Sequence, residues 1–290
     1  MMTERPGEIL VLGATGRQGG AVARELTRRG WRIRALVRDT DSPAAREIAA
    51  LGAHVVRGDL DDPASIEAAM RRAYGVFSVQ TFASPAGAAG EVRQGRSVAD
   101  VASRVGVRHL VYSSVGGADR AVQVAHFASK AQIERHVAAL GVPATVLRPA
   151  MFIDNFAAYG PELVDGTLVL ALALSPDTRV QMIAVGDIAR LAADAFDDPA
   201  GWLGQCLEIA GDALTGPEMA AAFGAAAGLP ARFEEVPLDA LRSANAEAAA
   251  MFDWMNREGY RADLTALRQR YPALTTLASW IAAGGWTVPA

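Results

Sequence analysis

The sequence predicts an α/β fold: a doubly wound parallel sheet followed by a smaller C-terminal α+β lobe. Three observations predict it. Short apolar runs alternate with helical patterns over the first 150 residues, a glycine-rich turn joins the first run to the first helix, and the alternation loosens after Pro149. Strands alternating with helices at this spacing make βαβ units and a parallel sheet. Right-handed crossovers then place helices on both faces.

The elements follow in order. Ile9–Leu12 is a short apolar strand ended by Gly13. Arg17–Arg29 reads as a helix, with Val22 and Leu26 four apart on one face and Gly30 as its stop. Trp31–Val37 alternates like a strand, Ala44–Leu51 is helical up to Gly52, and His54–Val56 is a third strand running into Gly58-Asp59-Leu60. Asp62-Pro63 opens a helix as N-cap and first turn. Val76–Val79 is the fourth strand, and Ser97–Val105 is helical, with Val98, Val101, Ala102 and Val105 on one face. His109–Tyr112 is a strand ending in Ser113-Ser114, Phe127–Leu140 a helix, and Ala144–Leu147 a sixth strand closed by Arg148-Pro149. Beyond it, Leu168–Leu172, Val180–Ile183 and Leu207–Ile209 read as strands. Asp187 opens a helix to Phe196 as its N-cap, and Thr215-Gly-Pro-Glu218 has the form of a capping box. Three or four alanine-rich helical patterns follow. The expected division is 1–150 for the first domain and 151–290 for the smaller lobe, with the chain interleaved at an approximate boundary.

Composition narrows the function classes. The 290 residues are 51% hydrophobic and 21% charged, with a formal net charge of −4, so a sizeable core is expected. No basic stripe is present, which argues against direct nucleic-acid binding. Cys206 is the only cysteine and the four histidines lack ligand spacing, so no metal site is expected. The longest apolar stretch, Leu168–Leu174, is too short to span a bilayer. The N-terminus carries no signal-peptide pattern, so the expected setting is cytoplasmic. Of 28 basic side chains only Lys130 is a lysine.

The chemistry concentrates at the strand ends. Gly13-Ala-Thr15-Gly16-Arg17-Gln18-Gly19-Gly20 follows a strand and opens a helix. Binding a pyrophosphate there needs a tight turn, close backbone approach and a helix N-terminus aimed at negative charge. Glycine meets the first two demands at least cost. The spacing is GxxGxxG, against the commoner GxGxxG, and its context of strand, turn and helix points to a Rossmann-type dinucleotide site. Arg38 ends the second strand, where a ribose 2′-phosphate would sit, and Arg17 can approach the same group. NADP(H) is therefore expected over NAD(H), although the adjacent Asp39 also suits a ribose 2′-hydroxyl. Asp59 and Leu60 end the third strand at the adenine position, where Asp59 fits either an acceptor for the amine or a turn residue. Gln80 and Thr81 end the fourth strand beside the expected nicotinamide path.

Several segments resemble the NmrA-like members of the atypical short-chain dehydrogenase/reductases: 13–20, Ala-Leu-Val-Arg-Asp (35–39), Arg-Gly-Asp-Leu (57–60), Gly-Val-Arg-His-Leu-Val-Tyr-Ser-Ser (106–114), His-Phe-Ala-Ser-Lys (126–130), Leu-Arg-Pro-Ala-Met-Phe-Ile-Asp-Asn-Phe (147–156) and Val-Gly-Asp-Ile-Ala (185–189). They run in the family's order. The resemblance implies NADP(H) preference, a C-terminal lobe closing over the nicotinamide, and one of two functions, reductase or redox-sensing regulator.

One departure limits the functional expectation. Short-chain reductases pair a proton-donating Tyr with a Lys four residues on, whose ammonium lowers the Tyr pKa and holds the ribose. Here His126 stands at the Tyr position and Lys130 follows on the same helix face. Tyr112, on the preceding strand, cannot substitute at that spacing. Imidazole suits a general acid, a substrate hydrogen bond, or a plain polar helix start. Ser113 and Ser114 suit substrate binding or a strand-end turn. Met151, Phe152, Asn155 and Phe156 suit either a substrate cleft between lobes or core. The first expectation is a reductase passing hydride from NADPH to a small carbonyl, quinone or enone, with Lys130, His126 and Ser114 at the chemistry. The alternative is a non-catalytic NADP(H) sensor acting on a regulatory protein partner. Neither reading calls for a membrane.

Overall fold

The computed structural model describes residues 7–289. Its largest sheet has seven strands in the order Cys206–Ile209, β6 (Ala144–Pro149), β5 (His109–Ser113), β4 (Ala73–Ser78), β1 (Glu8–Val11), β2 (Arg32–Val37), β3 (His54–Arg57). The pairings from β3 through β6 are parallel, as the alternating pattern predicts. The helices between them are α1 (Arg17–Arg28), α2 (Pro43–Ala50), α3 (Pro63–Met70), α4 (Gly87–Val105) and α5 (Ala125–Ala139). The fold is the expected doubly wound α/β Rossmann type. Strand order reverses between β1 and β4, and crevices at such a switch point, outside the carboxyl ends of the strands, are where this architecture binds ligands.

The central strands β1, β4 and β5 are buried through most of their length, as strands covered on both faces are. Leu10, Leu12, Val76, Leu110 and Tyr112 pack with Val98, Ala102 and Ile133 of the helices in one buried cluster. On another part of the sheet Phe196 lies so close to Gly75 that a Cβ there would stand 2.6 Å from its ring. The helix Val185–Asp197 that carries Phe196 is tied to the end of α1 by Arg29, which pairs with Asp194 and Asp197.

Helix α4 differs most from the sequence pattern. It begins at Gly87, ten residues before the expected Ser97. Gly87, Gly90 and Gly95 lower its intrinsic propensity, but packing requires at least one of them. A Cβ on Gly95 would stand 2.4 Å from Ile133 Cδ1 of α5, so the glycine permits close helix approach.

The chain forms two compact units. One takes in residues up to Ala118 with 126–148 and 188–207; the other holds 119–125, 149–187 and the residues from 208 onward. The second unit has two three-stranded sheets. One is ordered Asp212–Leu214, Val180–Ile183, Met151–Phe152, and the other Ala231–Glu235, Thr167–Leu172, Glu162–Val164. Its helix Gly216–Ala227 opens with the predicted capping box between Thr215 and Glu218. Asp187 is not the N-cap its position suggests. It is the third residue of Val185–Asp197, and its buried carboxylate accepts from Thr275 N at 2.8 Å. The first turn draws its acceptor from elsewhere, since Val185 N donates to Asp154 Oδ2 at 2.8 Å. Among the described residues no helix is long and apolar enough to cross a membrane.

Candidate functional site

The site is built from the turn after β1. Gly13 has φ +64°, the left-handed region where a side chain is strained. The turn closes by Gly16 N donating to Gly13 O at 2.9 Å. A Cβ on Gly19 would stand 2.2 Å from Gly13 O and 2.8 Å from Leu12 O. No rotamer relieves a clash with backbone, so the first turn of α1 can lie against the loop only with glycine at 19. Gly16 is the N-cap and gives α1 no side-chain cap, and its first turn holds no acid. The positive end of the helix dipole therefore lies at this turn without a side-chain cap. Thr15, Gly16 and Arg17 are exposed there.

Neighbouring strand ends converge on this turn. A Cβ on Gly13 would touch Val79 Cγ1 at 3.0 Å, just past β4. Ser113, at the end of β5, donates to Gln18 Oε1 at 2.7 Å. Gln80 is buried; its Nε2 donates to Ser78 Oγ at 2.9 Å, while its Oε1 has no partner. Thr81 is exposed and accepts from Ala83 N. At the far side Arg38 is exposed and makes no hydrogen bond or ion pair with the described residues, while Asp39 Oδ1 accepts from Asp41 N at 2.9 Å. Asp59 is half-buried, and its Oδ1 accepts from Asp61 N at 3.0 Å in a local turn. Leu60 beside it is half-buried against the core.

Lys130 lies on α5, one turn after His126, and both are buried. Its Nζ donates to Glu91 Oε1 at 2.7 Å and lies 3.4 Å from Gln80 O. Glu91, on α4, is fully buried, and its second oxygen accepts from Ser129. This carboxylate is the site residue that the sequence reading missed. Glu91, Gly95, Val98 and Ala102 fall at helical spacing on one buried face. A lone carboxylate on an apolar face signals a buried cation opposite, but the signal exists only once the helix is extended back to Gly87.

The His126 ring stacks on Phe82, centroids 4.4 Å apart, and meets Phe127 edge-on at 4.7 Å. Ser114 is buried and donates to Glu134, which Arg148 grips with Nε at 3.0 Å and Nη2 at 2.6 Å. Its proton is thus held inside the protein. The Tyr112 hydroxyl is buried without a partner, and burial, with Glu91 and Glu134 nearby, pushes its pKa well above the ordinary value. It is no proton donor for a reacting group. Met151, Phe152 and Asn155 belong to the second unit. There Met151 and Phe152 pair with Met182 and Ile183, and Asn155 ends a 3₁₀ turn.

Comparison with known proteins agrees with this architecture. Residues 6–280 match the model of the NmrA-like family. An NAD(P)H azoreductase of Xenophilus azovorans is 32% identical over 240 residues, 81% of this chain and 79% of the relative. A (4-alkanoyl-5-oxo-2,5-dihydrofuran-3-yl)methyl phosphate reductase of Streptomyces griseus is 33% identical over 239 residues, with the same coverage of 81% and 79%. Two solved structures share the fold. NmrA, a negative transcriptional regulator in complex with NADP, superposes with TM-score 0.81 at 21% identity, covering 96% of this chain and 94% of that one. An NADPH-dependent quinone oxidoreductase of Escherichia coli, complexed with NADPH, gives 0.81 at 24%, covering 95% and 99%. By the match of residues 6–280 to its model, this chain belongs to the NmrA-like family.

Proposed function

We propose that the protein is an NADP(H)-dependent reductase that passes hydride to a small carbonyl, quinone or other conjugated acceptor. The observation that carries this reading is the glycine turn. Its geometry excludes a side chain at Gly19, and it leads into an uncapped helix N-terminus. A pyrophosphate suits that cradle in shape and charge. Gly13, Thr15, Gly16, Arg17, Gln18 and Gly19 would hold the pyrophosphate, Asp59 and Leu60 the adenine, and Gln80, Thr81 and Lys130 the nicotinamide ribose and its surroundings. When bound, the reduced nicotinamide supplies the hydride.

Preference for the phosphorylated dinucleotide is supported by the contrast at the end of β2. The Arg38 guanidinium is exposed and uncommitted, whereas the Asp39 carboxylate already serves Asp41 N. Conjugated acceptors are favoured because the phenol of the Tyr–Lys pair is replaced by His126. Hydride addition to a quinone or activated alkene leaves a stabilised anion that solvent can protonate, so it needs no strong side-chain acid. His126 is the polar group left to polarise the acceptor, because the Ser114 hydroxyl already donates to Glu134. Two relatives named as reductases, at 32% and 33% identity, lend support.

The test is NADPH consumption by purified protein across quinones, enones, azo dyes, aldehydes and ketones. Turnover above the protein-free rate, lost in Lys130→Ala, is expected. A second reading, a non-catalytic NADP(H) sensor acting through a protein partner, is favoured by one observation: the imidazole replacing the phenol is packed between Phe82 and Phe127. NADPH binding without turnover on any acceptor would select it, and absence of NADPH binding would refute both.

A further inference from the structure

We infer that Glu91 is the positioning residue of the cofactor site: its buried carboxylate fixes the direction of the Lys130 ammonium and leaves one N–H for the cofactor ribose. The inference rests on the reading of Lys130 as the ribose contact. An ammonium has three donors. One goes to Glu91 Oε1 at 2.7 Å, one points toward Gln80 O at 3.4 Å, and the third goes to no described residue. The carboxylate is fixed in turn. It is fully buried, and its other oxygen is held by Ser129, one residue before Lys130 on α5.

A stabilising role alone accounts poorly for this pair. Two desolvated charges seldom add stability over apolar side chains of the same volume, and the surrounding face of α4 is otherwise apolar or glycine. The pair does provide charge where a dinucleotide needs it. Burial disfavours an ammonium unless an opposite charge lies close. The titratable groups facing Lys130 are few. Glu91 comes from α4, and the buried Tyr112 phenol of β5 lies near Glu91. His126 and Glu134 flank Lys130 on its own helix, with Glu134 engaged by Arg148 of β6. Glu91 is therefore the countercharge that sets where the Lys130 N–H groups point.

The single lysine makes this directly measurable. Protein with a lysine-free tag, grown with lysine labelled at ¹³Cε, gives one side-chain resonance, which NADPH should displace. In Glu91→Gln that resonance is expected to move, because the ammonium loses its anchor, and its displacement by NADPH is expected to shrink. NADPH affinity, followed by fluorescence titration, is expected to fall with it by about tenfold, the worth of one charge-assisted hydrogen bond. A Glu91→Gln resonance at the wild-type position, or an unchanged NADPH affinity, would overturn the inference. Should Glu91→Gln not fold, Glu91→Asp carries the test. It withdraws the carboxylate by one methylene, so the resonance must move and NADPH affinity must drop; no change in either overturns the role. A wild-type resonance indifferent to NADPH that does bind would instead remove the ribose contact on which the inference rests. No NADPH binding by the wild type would remove the proposed function itself.

Discussion

Arg38 and Glu91 mark the two extremes of what single residues disclose. Arg38 was legible because its meaning depends only on position: it ends a strand whose alternation is plain, at the place where a 2′-phosphate or a 2′-hydroxyl would be recognised. The structure leaves its guanidinium exposed and without a partner among the described residues. Replacing it with Ala should therefore leave the melting temperature unchanged. Charge-assisted hydrogen bonds are worth about 1.5–3 kcal/mol, so NADPH affinity should fall by about tenfold to a hundredfold while NADH affinity stays put. Parallel fluorescence titrations check this, and an equal fall for both nucleotides would detach Arg38 from the 2′-phosphate. Glu91 was illegible for the opposite reason. Its role depends on a side chain 39 positions away, Lys130, and on a helix whose first half is hidden by glycines. Asp59 was left open between adenine and turn. Its carboxylate does make the turn, through Asp61 N, and that contact uses only one of its two oxygens.

At the scale of elements, periodicity revealed what buries one face and missed what depends on a neighbour. The six strands of the first half and four of its five helices lie within a few residues of the pattern, because each is apolar along one face or throughout. Helix α4 was truncated because propensity and packing oppose each other in its first half. That opposition makes a prediction with a diagnostic sign. In an isolated helix Gly→Ala stabilises by about 1 kcal/mol. Here a Cβ at 95 would press on Cδ1, Cγ1 and Cγ2 of Ile133, at 2.4, 2.6 and 2.9 Å. Overpacking costs about 1–3 kcal/mol, so Gly95→Ala should lower the urea midpoint, and pairing it with Ile133→Val should recover part of the loss. A raised midpoint would mean that α4 and α5 do not depend on this approach. In the second unit the missed strands, such as Ala231–Glu235 and Asp212–Leu214, are short and partly exposed, with at most two apolar residues each to announce a strand.

For the molecule as a whole, the acid limit of stability is set in the sheet, away from the glycine turn. His109 of β5 is fully buried, and its ring meets Phe196 edge-on at 5.3 Å. Its Nε2 lies 2.8 Å from Thr145 Oγ1, whose own proton goes to Trp202 O at 2.7 Å. The threonine oxygen must therefore accept, which makes Nε2 the protonated nitrogen and leaves Nδ1 bare, with no partner. A second proton would enter at Nδ1, in apolar surroundings and with no acceptor. Burial accordingly pushes the His109 pKa down to about 4. The unfolded chain, with an ordinary histidine near 6.5, binds this proton first as pH falls. Stability is then highest above about pH 6.5 and declines toward pH 4, at up to about 1.4 kcal/mol per pH unit. Carboxylates held low by arginines, such as Glu25 near 2, begin to count as pH nears their unfolded value of 4.5, so the interval from about 6.5 to 5 isolates the histidine. Denaturant melts across it should lose about 2 kcal/mol. His109→Gln keeps an N–H for Thr145 and has nothing to titrate, so its stability should be nearly flat over the same interval. If the variant and the wild type decline in parallel, the acid sensitivity belongs to another group and His109 is only a packed side chain.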